Sequence, residues 1–319
     1  MSQDMEPRIR IGISSCLLGE RVRFDGNHKQ DHYVSATLGE VFEFVPVCPE
    51  VGIGLGVPRP PIRLVGNPAA PRAVGVKMPD LDVTDRLVHY GKQTAARLND
   101  LGGYIFKSKS PSCGMERVPL YDGASGGNRQ GVGLYAREIM RAQPLLPVEE
   151  EGRLGDPLLR DNFLERVFVY HRWRTLDRRN LTAGTLVEFH TRHKLVLMAH
   201  GTEHCRALGR LVATAGTRPI AELAAEYAAA LMAALRHRAT PRRHTNVLMH
   251  ILGYLKTRLS REDKQELLQL IEEYRLGRLP RVVPITLLKH HFRKHPNDYI
   301  AGQLYLNPSP AELKLRSFY

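Results

Sequence analysis

The sequence is poor in cysteine and tryptophan, and it has no long apolar segment. Only 4 cysteines and 1 tryptophan occur in 319 residues, too few thiols for a disulfide-stapled scaffold. No apolar run reaches the roughly 18–20 residues that a membrane helix needs. Residues 1–7 lack both the basic and the apolar stretch of a secretory signal peptide. These absences predict a cytoplasmic protein with reduced thiols and no membrane partner, and they leave the oligomeric state open.

Acidic residues are too scarce in the second half of the chain to balance the basic ones. The formal net charge is +13, from 46 Lys and Arg against 33 Asp and Glu. Residues 1–148 hold 18 basic and 15 acidic residues, whereas residues 149–319 hold 28 and 18, together with 11 of the 14 histidines. Such an excess is typical of polyanion binding, with RNA or DNA as the first candidates. A basic surface without any partner fits the composition equally well.

Short apolar segments alternate with helical patterns in the first half of the chain. Residues 8–15, 42–47 and 104–107 have the apolar composition of buried strands. Residues 83–101 and 131–141 have the spacing of amphipathic helices. Strands that alternate with helices predict an α/β domain with a mostly parallel sheet over residues 1–148.

The second half is predicted to be all-α. Residues 144–157 are rich in proline, glycine and acidic residues, and we expect a linker there. Apolar residues then recur at helical spacing up to the C-terminus, which predicts a helical domain over residues 156–319. Trp173, Tyr254 and Cys205 are expected in its core, although Cys205 could also be a surface thiol. The predicted helices cover residues 162–175, 186–200, 220–237, 244–259, 262–276 and 285–293.

Cys16, Cys48 and Cys113 each follow one of the predicted strands, and none belongs to a CxxC pair. The carboxyl ends of parallel strands meet at one edge of a sheet, so the three thiols can converge. Structural zinc sites normally contain closely spaced ligand pairs, unlike these three cysteines. A nucleophilic cysteine needs a histidine partner, and none of the three has one nearby in sequence, which leaves only a distant partner open. Three thiolates can instead hold an iron–sulfur cluster and leave one iron without a protein ligand. The pattern alone leaves inert buried cysteines open as the alternative.

Polar residues next to the cysteines are candidates for chemistry. The segment KSKSPSCG around Cys113 offers hydroxyls, amides and two ammonium groups to a negatively charged cluster, or forms an ordinary turn. Glu50, two residues after Cys48, is placed as a general base would be, or as an acid that favours a helix N-terminus. Arg23 and Asp25 could hydrogen-bond a polar ring or pair with each other.

Three blocks of the sequence closely resemble the thiouracil desulfurase (TudS) family. They are CLLGERVRFDG from Cys16, VCPEVGIGLGVPRPPIRL around Cys48 and KSKSPSCG around Cys113, and the resemblance covers about residues 8–145. The second half resembles the YbgA-like domain of unknown function in the segments FHTRHK from Phe189, HTNVLMHILGY from His244 and VPITLLKH from Val283. The short members of the desulfurase family lack this added domain.

The resemblance implies a [4Fe–4S] cluster on Cys16, Cys48 and Cys113 and the removal of sulfur from a thiolated uracil. Glu50 and Ser110 match the functional polar residues of the family. Under this hypothesis the thiocarbonyl sulfur binds the open iron, Glu50 activates a water that attacks the ring carbon, and Ser110 positions that water. Sulfur leaves as hydrosulfide without any net redox change, so the reaction is a C–S bond hydrolysis. Candidate substrate-binding residues are Arg23, Asp25 and Ser112.

The basic helical domain suggests that the thiolated uracil is 4-thiouridine in tRNA, held by phosphate contacts. In one alternative the enzyme acts only on free thiouracil or thiouridine, and the helical domain mediates oligomerisation. In a second alternative the protein is a non-catalytic iron–sulfur sensor that binds RNA. The candidate RNA-binding residues, each of which could also be a solvated surface charge, are Arg192, His193, Lys194, Arg242, Arg243, Lys289, His290, Arg293 and Lys294.

Overall fold

The chain folds into two compact units. Unit 1 is Met1–Asp156 and unit 2 is Pro157–Tyr319. The structure, a computed structural model, describes residues 8–122, 127–176 and 181–309 together with Glu312 and Leu315. Among these residues, none of the helices combines the length and the apolar character that crossing a bilayer would require.

Unit 1 contains two four-stranded sheets and four helices within the described residues. Its strands are β1 (Arg10–Ser14), β2 (Glu43–Val47), β3 (Ile62–Asn67), β4 (Ala70–Gly75), β5 (Gly103–Phe106), β6 (Val118–Tyr121), β7 (Asn128–Gly131) and β8 (Val148–Glu150). Its helices are α1 (Pro49–Gly52), α2 (Thr84–Arg97), α3 (Leu134–Ala142) and α4 (Glu151–Leu154). The first sheet has the strand order β2-β1-β5-β8 and is parallel throughout.

The first sheet is the core of unit 1 and confirms the predicted α/β class. All four residues of β5 are buried, and Ile11 and Ile13 of β1 are fully buried. Continuous burial of this kind is typical of a parallel sheet that is covered on both faces. Gly12 faces Tyr104 in the register between β1 and β5. A Cβ on Gly12 would lie 2.4 Å from a carbon of the Tyr104 ring, so a side chain there would displace the aromatic ring.

The second sheet is mixed and has the strand order β4-β3-β6-β7. Strands β3 and β6 pair in parallel, while β4 and β7 flank them in antiparallel pairing. Ile62 and Leu64 of β3 pack with Val118 and Leu120 of β6 in a buried apolar cluster that also includes Leu87 of α2. Our sequence analysis did not predict this sheet.

The predicted linker at residues 144–157 is ordered, and all of it except Pro157 belongs to unit 1. It contains β8, which pairs in parallel with β5, and the short helix α4. Glu149 and Glu150 of β8 are buried, although their composition suggested a solvated segment. The prediction was wrong because pairing with β5 and buried hydrogen bonds override the weak strand propensity of these residues.

Unit 2 consists of helices only in its described part, as predicted. They are α5 (Pro157–Thr175), α6 (Ala183–His200), α7 (Thr202–Val212), α8 (Ile220–Leu235), α9 (Pro241–Gly253), α10 (Arg261–Arg275), α11 (Val282–Lys294) and α12 (Asp298–Ala301). Trp173 is buried between Phe189 and Tyr227, with ring centroids 5.2 and 5.4 Å away. Cys205 is buried as well, whereas Tyr254 is exposed, contrary to expectation. Helix α7 was not predicted.

Candidate metal centre and active site

Three cysteines lie just beyond the carboxyl ends of three adjacent parallel strands. Cys16 lies in a 3-10 turn after β1, Cys48 immediately follows β2 as the N-cap of α1, and Cys113 lies in the loop after β5. Strand β1 lies between β2 and β5 in the sheet, so the three loops are neighbours. All three cysteines line one cavity of about 330 Å³.

The donor set of this cavity suits a metal cluster better than a single ion. Among the described residues, no group of three or more His, Cys, Asp and Glu side chains is arranged to hold one metal ion. Cys16, Cys48 and Cys113 come from three separate loops and surround open space instead. Thiolates are the ligands that iron–sulfur clusters take from proteins. The three residues therefore fit a cluster that occupies the cavity and bridges the loops.

Burial keeps the three thiols protonated near neutral pH. It raises the pKa of Cys16 to about 11, an effect that the nearby Cys48 increases and the Lys107 and Arg23 cations oppose. Burial likewise raises the pKa of Cys48, and it raises the pKa of Cys113 well above the ordinary value. Bound metal ions would lower the pKa of these thiols, because a thiol must lose its proton to become a thiolate ligand.

Glu50 presents its carboxylate to the cavity from the first turn of α1 and is held at both oxygens. Arg59 Nε donates to Oε2 at 2.8 Å, and Ser112 Oγ donates to Oε1 at 2.9 Å. Arg59 Nη1 donates to the carbonyl oxygen of Gly56 at 3.0 Å, and its side chain is almost fully buried. The orientation of the carboxylate is thus fixed. Sequence reasoning missed Arg59, although it lies in the same resembling block as Glu50.

Ser110 and Ser112 have different surroundings. Ser110 lines the cavity, and its Oγ accepts from the backbone N–H groups of Ser112 at 3.2 Å and Cys113 at 3.0 Å. Its own hydroxyl proton is left to point elsewhere. Ser112 is fully buried, does not line the cavity and gives its hydroxyl to Glu50. A direct contact between Ser112 and substrate was therefore the wrong expectation, because its polar group already supports Glu50.

A second carboxylate, that of Glu151, binds the start of the loop that carries Cys113. It accepts from Ser108 N at 2.8 Å and Ser108 Oγ at 2.7 Å, and it forms an ion pair with the Lys107 ammonium group. Lys107 also lines the cavity, and its backbone N–H donates to Ser14 Oγ at 2.9 Å. Glu151 was not predicted, because it lies at the start of α4 inside the supposed linker.

Arg23 and Asp25 separate into two roles. Arg23 lines the cavity, and its guanidinium lies 5.4 Å from the centroid of the Phe24 ring. Asp25 is not a lining residue, and its nearest contact with Arg23 is 3.6 Å. Asp25 Oδ1 accepts from Asn27 N at 3.1 Å, and this hydrogen bond lowers the pKa of Asp25. Asp25 thus shapes the loop, and only Arg23 is placed to meet a ligand.

The basic candidates of unit 2 lie on the surface with one exception. His193 is 2% exposed and stacks on Phe189 with centroids 4.0 Å apart. Burial lowers the pKa of His193 to about 3, so the ring is neutral at pH 7 and its assignment to RNA contacts was wrong. The exposed or half-exposed candidates are Arg192, Lys194, Arg242, Arg243, Lys289, His290, Arg293 and Lys294.

Comparison with known proteins identifies two regions. Residues 11–151 match the family model for 2-thiouracil desulfurase, and residues 194–310 match a protein family of unknown function, DUF1722. The chain is 35% identical over 157 residues to the uncharacterized protein YbgA of Escherichia coli K12, covering 49% of this chain and 93% of YbgA. It is 29% identical over 139 residues to the uncharacterized protein YbbK of Bacillus subtilis 168, covering 41% and 90%.

A solved structure is similar to the first region. It is the [4Fe-4S]-dependent thiouracil desulfidase TudS, which is 29% identical and has a TM-score of 0.38. The alignment covers 46% of this chain and 94% of that one. The two family matches and the similarity to YbgA confirm the two resemblances deduced from the sequence motifs.

Proposed function

We propose that this chain, which belongs to the YbgA family and joins to it a region like the 2-thiouracil desulfurases, removes sulfur from a thiolated uracil in the cavity of unit 1. Cys16, Cys48 and Cys113 would hold a [4Fe–4S] cluster there, with one iron free of protein ligands. The observation that carries the proposal is the position of Glu50, whose fixed carboxylate faces the same cavity as the three thiols.

The residues around the cavity have separate roles in the proposed hydrolysis. The cluster supplies a Lewis acid for the thiocarbonyl sulfur. Glu50 takes a proton from a water, whose oxygen forms the new bond to the ring carbon as the bond from that carbon to sulfur breaks. Ser110 lines the cavity and orients this water or passes its proton on. One water is consumed, uracil gains a carbonyl oxygen, sulfur leaves as hydrosulfide, and no electron is gained or lost.

The natural substrate in this proposal is 4-thiouridine in tRNA, which places the protein in the cytoplasm. Unit 1 has 19 basic and 19 acidic residues, whereas unit 2 has 27 basic residues against 14 acidic ones. Unit 2 therefore carries the whole formal net charge of +13. Its exposed cations bind the phosphates, and the cavity of unit 1 receives the thiolated base.

The test uses the full chain, purified and loaded with iron and sulfide without oxygen, and incubated with bulk bacterial tRNA. We expect 4-thiouridine to disappear from the digested tRNA and hydrosulfide to appear in equal amount. Glu50→Gln should abolish this while the visible absorption of the cluster remains. Glu43→Gln, at an exposed position on β2, is the matched control and should stay active.

The outcomes separate three functions. Conversion of free thiouracil or thiouridine without any change in tRNA would restrict the enzyme to small molecules. A cluster-loaded protein that binds tRNA but converts none of these substrates would be a sensor, and the proposed desulfuration would be wrong.

A further inference from the structure

One face of helix α9 is exposed and is not explained by packing. Met249, His250, Gly253 and Tyr254 are all exposed, with Met249 at 44% and Tyr254 at 39%. They lie three or four residues apart in overlapping pairs, so they form one continuous strip on the helix surface. The core of unit 2 uses other residues of the same segment, which are His244, Val247, Leu248, Ile251 and Leu252.

Within this strip, the Tyr254 ring is held in a defined orientation. It stacks on Tyr299 of α12, with ring centroids 5.4 Å apart and an interplanar angle of 29°. His250 meets it edge-on, at 5.6 Å and 82°. Tyr299 and His250 thus hold the ring, while a large part of Tyr254 remains exposed to solvent.

Gly253 leaves bare backbone beside this ring. Its φ is outside the left-handed region, and a Cβ built on it would meet no atom of the described residues within 4 Å. Neither the backbone conformation nor packing among the described residues therefore requires glycine here. A glycine in a helix is less stable than alanine, so the residue carries a cost without any benefit inside the chain. The missing side chain makes room for a partner that approaches the helix closely.

The charges nearby select a polyanionic partner. Lys256 and Arg258 are exposed, and they follow Tyr254 closely in the sequence. Unit 2 as a whole has nearly twice as many basic as acidic residues, 27 against 14. An open aromatic ring beside cations is the arrangement by which proteins stack the bases of unpaired nucleotides while neutralising their phosphates.

We propose that Tyr254, supported by Tyr299 and flanked by His250 and Gly253, is a stacking platform for an unpaired base of RNA. The proposal rests on the proposed function, because it identifies the part of the RNA that unit 2 recognises. It requires a substrate with a looped-out or single-stranded nucleotide, since a base inside a regular duplex has both faces covered.

The experiment measures binding of bulk tRNA to the full chain at one fixed salt concentration. Tyr254→Ala should raise the Kd roughly tenfold or more, and Tyr254→Phe should stay close to wild type because it keeps the ring. Leu276→Ala is the matched control, because it removes another large apolar side chain of unit 2 that is 46% exposed. It should leave both the Kd and the desulfuration of free thiouridine unchanged.

A second variant separates binding from folding. Gly253→Ala should leave the melting temperature unchanged or higher, since nothing in the chain opposes the added methyl group, yet it should weaken tRNA binding several-fold. A fully paired RNA duplex should compete poorly with tRNA for the wild-type protein.

Several results would overturn the platform. Unchanged tRNA affinity in Tyr254→Ala would do so, as would equal competition by the paired duplex. If Tyr254→Ala instead dissociated a dimer while tRNA affinity stayed constant, the strip would be a contact between copies of the chain. A wild-type protein that does not bind tRNA at all would refute the tRNA part of the proposed function, whereas wild-type binding with insensitive variants would refute only the platform.

Discussion

In the proposed reaction Glu50 takes a proton from one particular water, which requires a carboxylate that cannot rotate. Its ion pair with Arg59, together with the hydrogen bond from Ser112, restrains that carboxylate. Both partners are shielded from solvent, with side-chain exposures of 3% for Arg59 and 14% for Glu50. The guanidinium is itself anchored on the carbonyl of Gly56, so the geometry extends from the backbone to the carboxylate oxygen. Arg59 thus acts through Glu50 as a positioning residue.

Replacing Arg59 should reduce turnover without removing the metal group. We expect Arg59→Met to lower kcat by about 100-fold, because a displacement of roughly 1 Å at a catalytic group can cost that much. Arg59→Lys should recover little, since an ammonium group cannot reproduce the fork that joins Glu50 to Gly56. Steady-state desulfuration of free thiouridine and the visible absorption of the cluster are the two measurements.

Arg63→Met is the matched control for this prediction. Arg63 lies on β3, four residues further on, and its guanidinium is 5.2 Å from the centroid of the Tyr121 ring. Its replacement should leave kcat within about twofold of wild type. A rise in KM with unchanged kcat would show that Arg59 contributes to substrate binding, and loss of the cluster absorption in Arg59→Met would show that it supports the metal site. Either result would contradict a role in orienting Glu50.

The sequence predicts that the three cysteines converge, and the structure places them around one cavity with Glu50, but the sequence does not predict the residues that hold them in place. The cysteines were predictable because each follows a strand and lies in a recognisable motif. Arg59 and Glu151 were missed because a hydrogen bond depends on which loops meet, and Glu151 bonds Ser108 across 43 positions of sequence. Predicting which residues position a site therefore requires the fold, whereas candidate site residues can be proposed from residue types and the order of strands.

At the scale of elements, the N-terminus of α3 is packed directly against the Cys113 loop. Gly133, the N-cap of α3, donates its N–H to the carbonyl oxygen of Gly114 at 2.8 Å. A Cβ on Gly133 would lie 2.6 Å from the carbonyl oxygen of Ser112 and 2.8 Å from the nitrogen of Cys113. Both are backbone atoms, so the loop could accept a side chain only by moving as a whole.

Gly133→Ala should therefore disturb the proposed metal centre through a residue that supplies no ligand. The backbone at this glycine, with φ −59° and ψ 135°, suits alanine, so any effect must come from the added methyl group. We expect a destabilisation of about 1–3 kcal/mol, typical of overpacking, and a lower iron and sulfide content after reconstitution. Thermal unfolding and metal analysis measure the two effects.

Gly39→Ala tests whether these effects are specific to the Cys113 loop. The nearest atom to a Cβ on Gly39 is a carbon of the Phe44 ring at 3.6 Å, an ordinary contact, so this variant should resemble wild type. Full iron content and an unchanged melting temperature in Gly133→Ala would mean that the loop adjusts freely, and α3 would not determine the position of Cys113.

Elements were predictable from the sequence where an apolar pattern marks them, and this holds even for β2, of which only Val47 is buried. Strands β1, β2 and β5 came from short apolar runs, and most helices of unit 2 from regular apolar spacing. Strand β8 has the sequence Val-Glu-Glu and forms because β5 offers it a partner, with Val148 opposite Tyr104. No local pattern contains that information, so β8 was missed. The hairpin of β3 and β4 was missed as well, although its pairing is local.

On the scale of the whole molecule, the candidate active site and the excess of positive charge belong to different units. Unit 1 holds Cys16, Cys48 and Cys113 and has equal numbers of basic and acidic residues, and unit 2 has the entire excess of positive charge. Composition alone predicts this separation approximately. It does not predict which cations are on the surface, as the buried and neutral His193 illustrates.

The separation of charge predicts that salt affects the two substrates differently. Each phosphate neutralised by a protein cation releases condensed counterions, so tRNA affinity should fall linearly on a plot of log K against log salt. Turnover of free thiouridine should change little over the same range, because the nucleoside carries no phosphate. Equal salt sensitivity of the two reactions would mean that salt acts on the catalytic site and not on RNA capture.

Substitutions that each remove one positive charge should then show which residues contact a tRNA phosphate. Arg242→Gln at the start of α9 and Lys289→Gln on α11 should each reduce the salt slope for tRNA binding by about 1 if the residue meets a phosphate. Arg218→Gln removes the same charge from unit 2, but Arg218 is paired with Glu226 at 2.8 Å, so its slope should match wild type. If all three variants lost affinity equally with unchanged slopes, tRNA would respond to the overall field of unit 2, and no defined phosphate contacts would lie at α9 and α11.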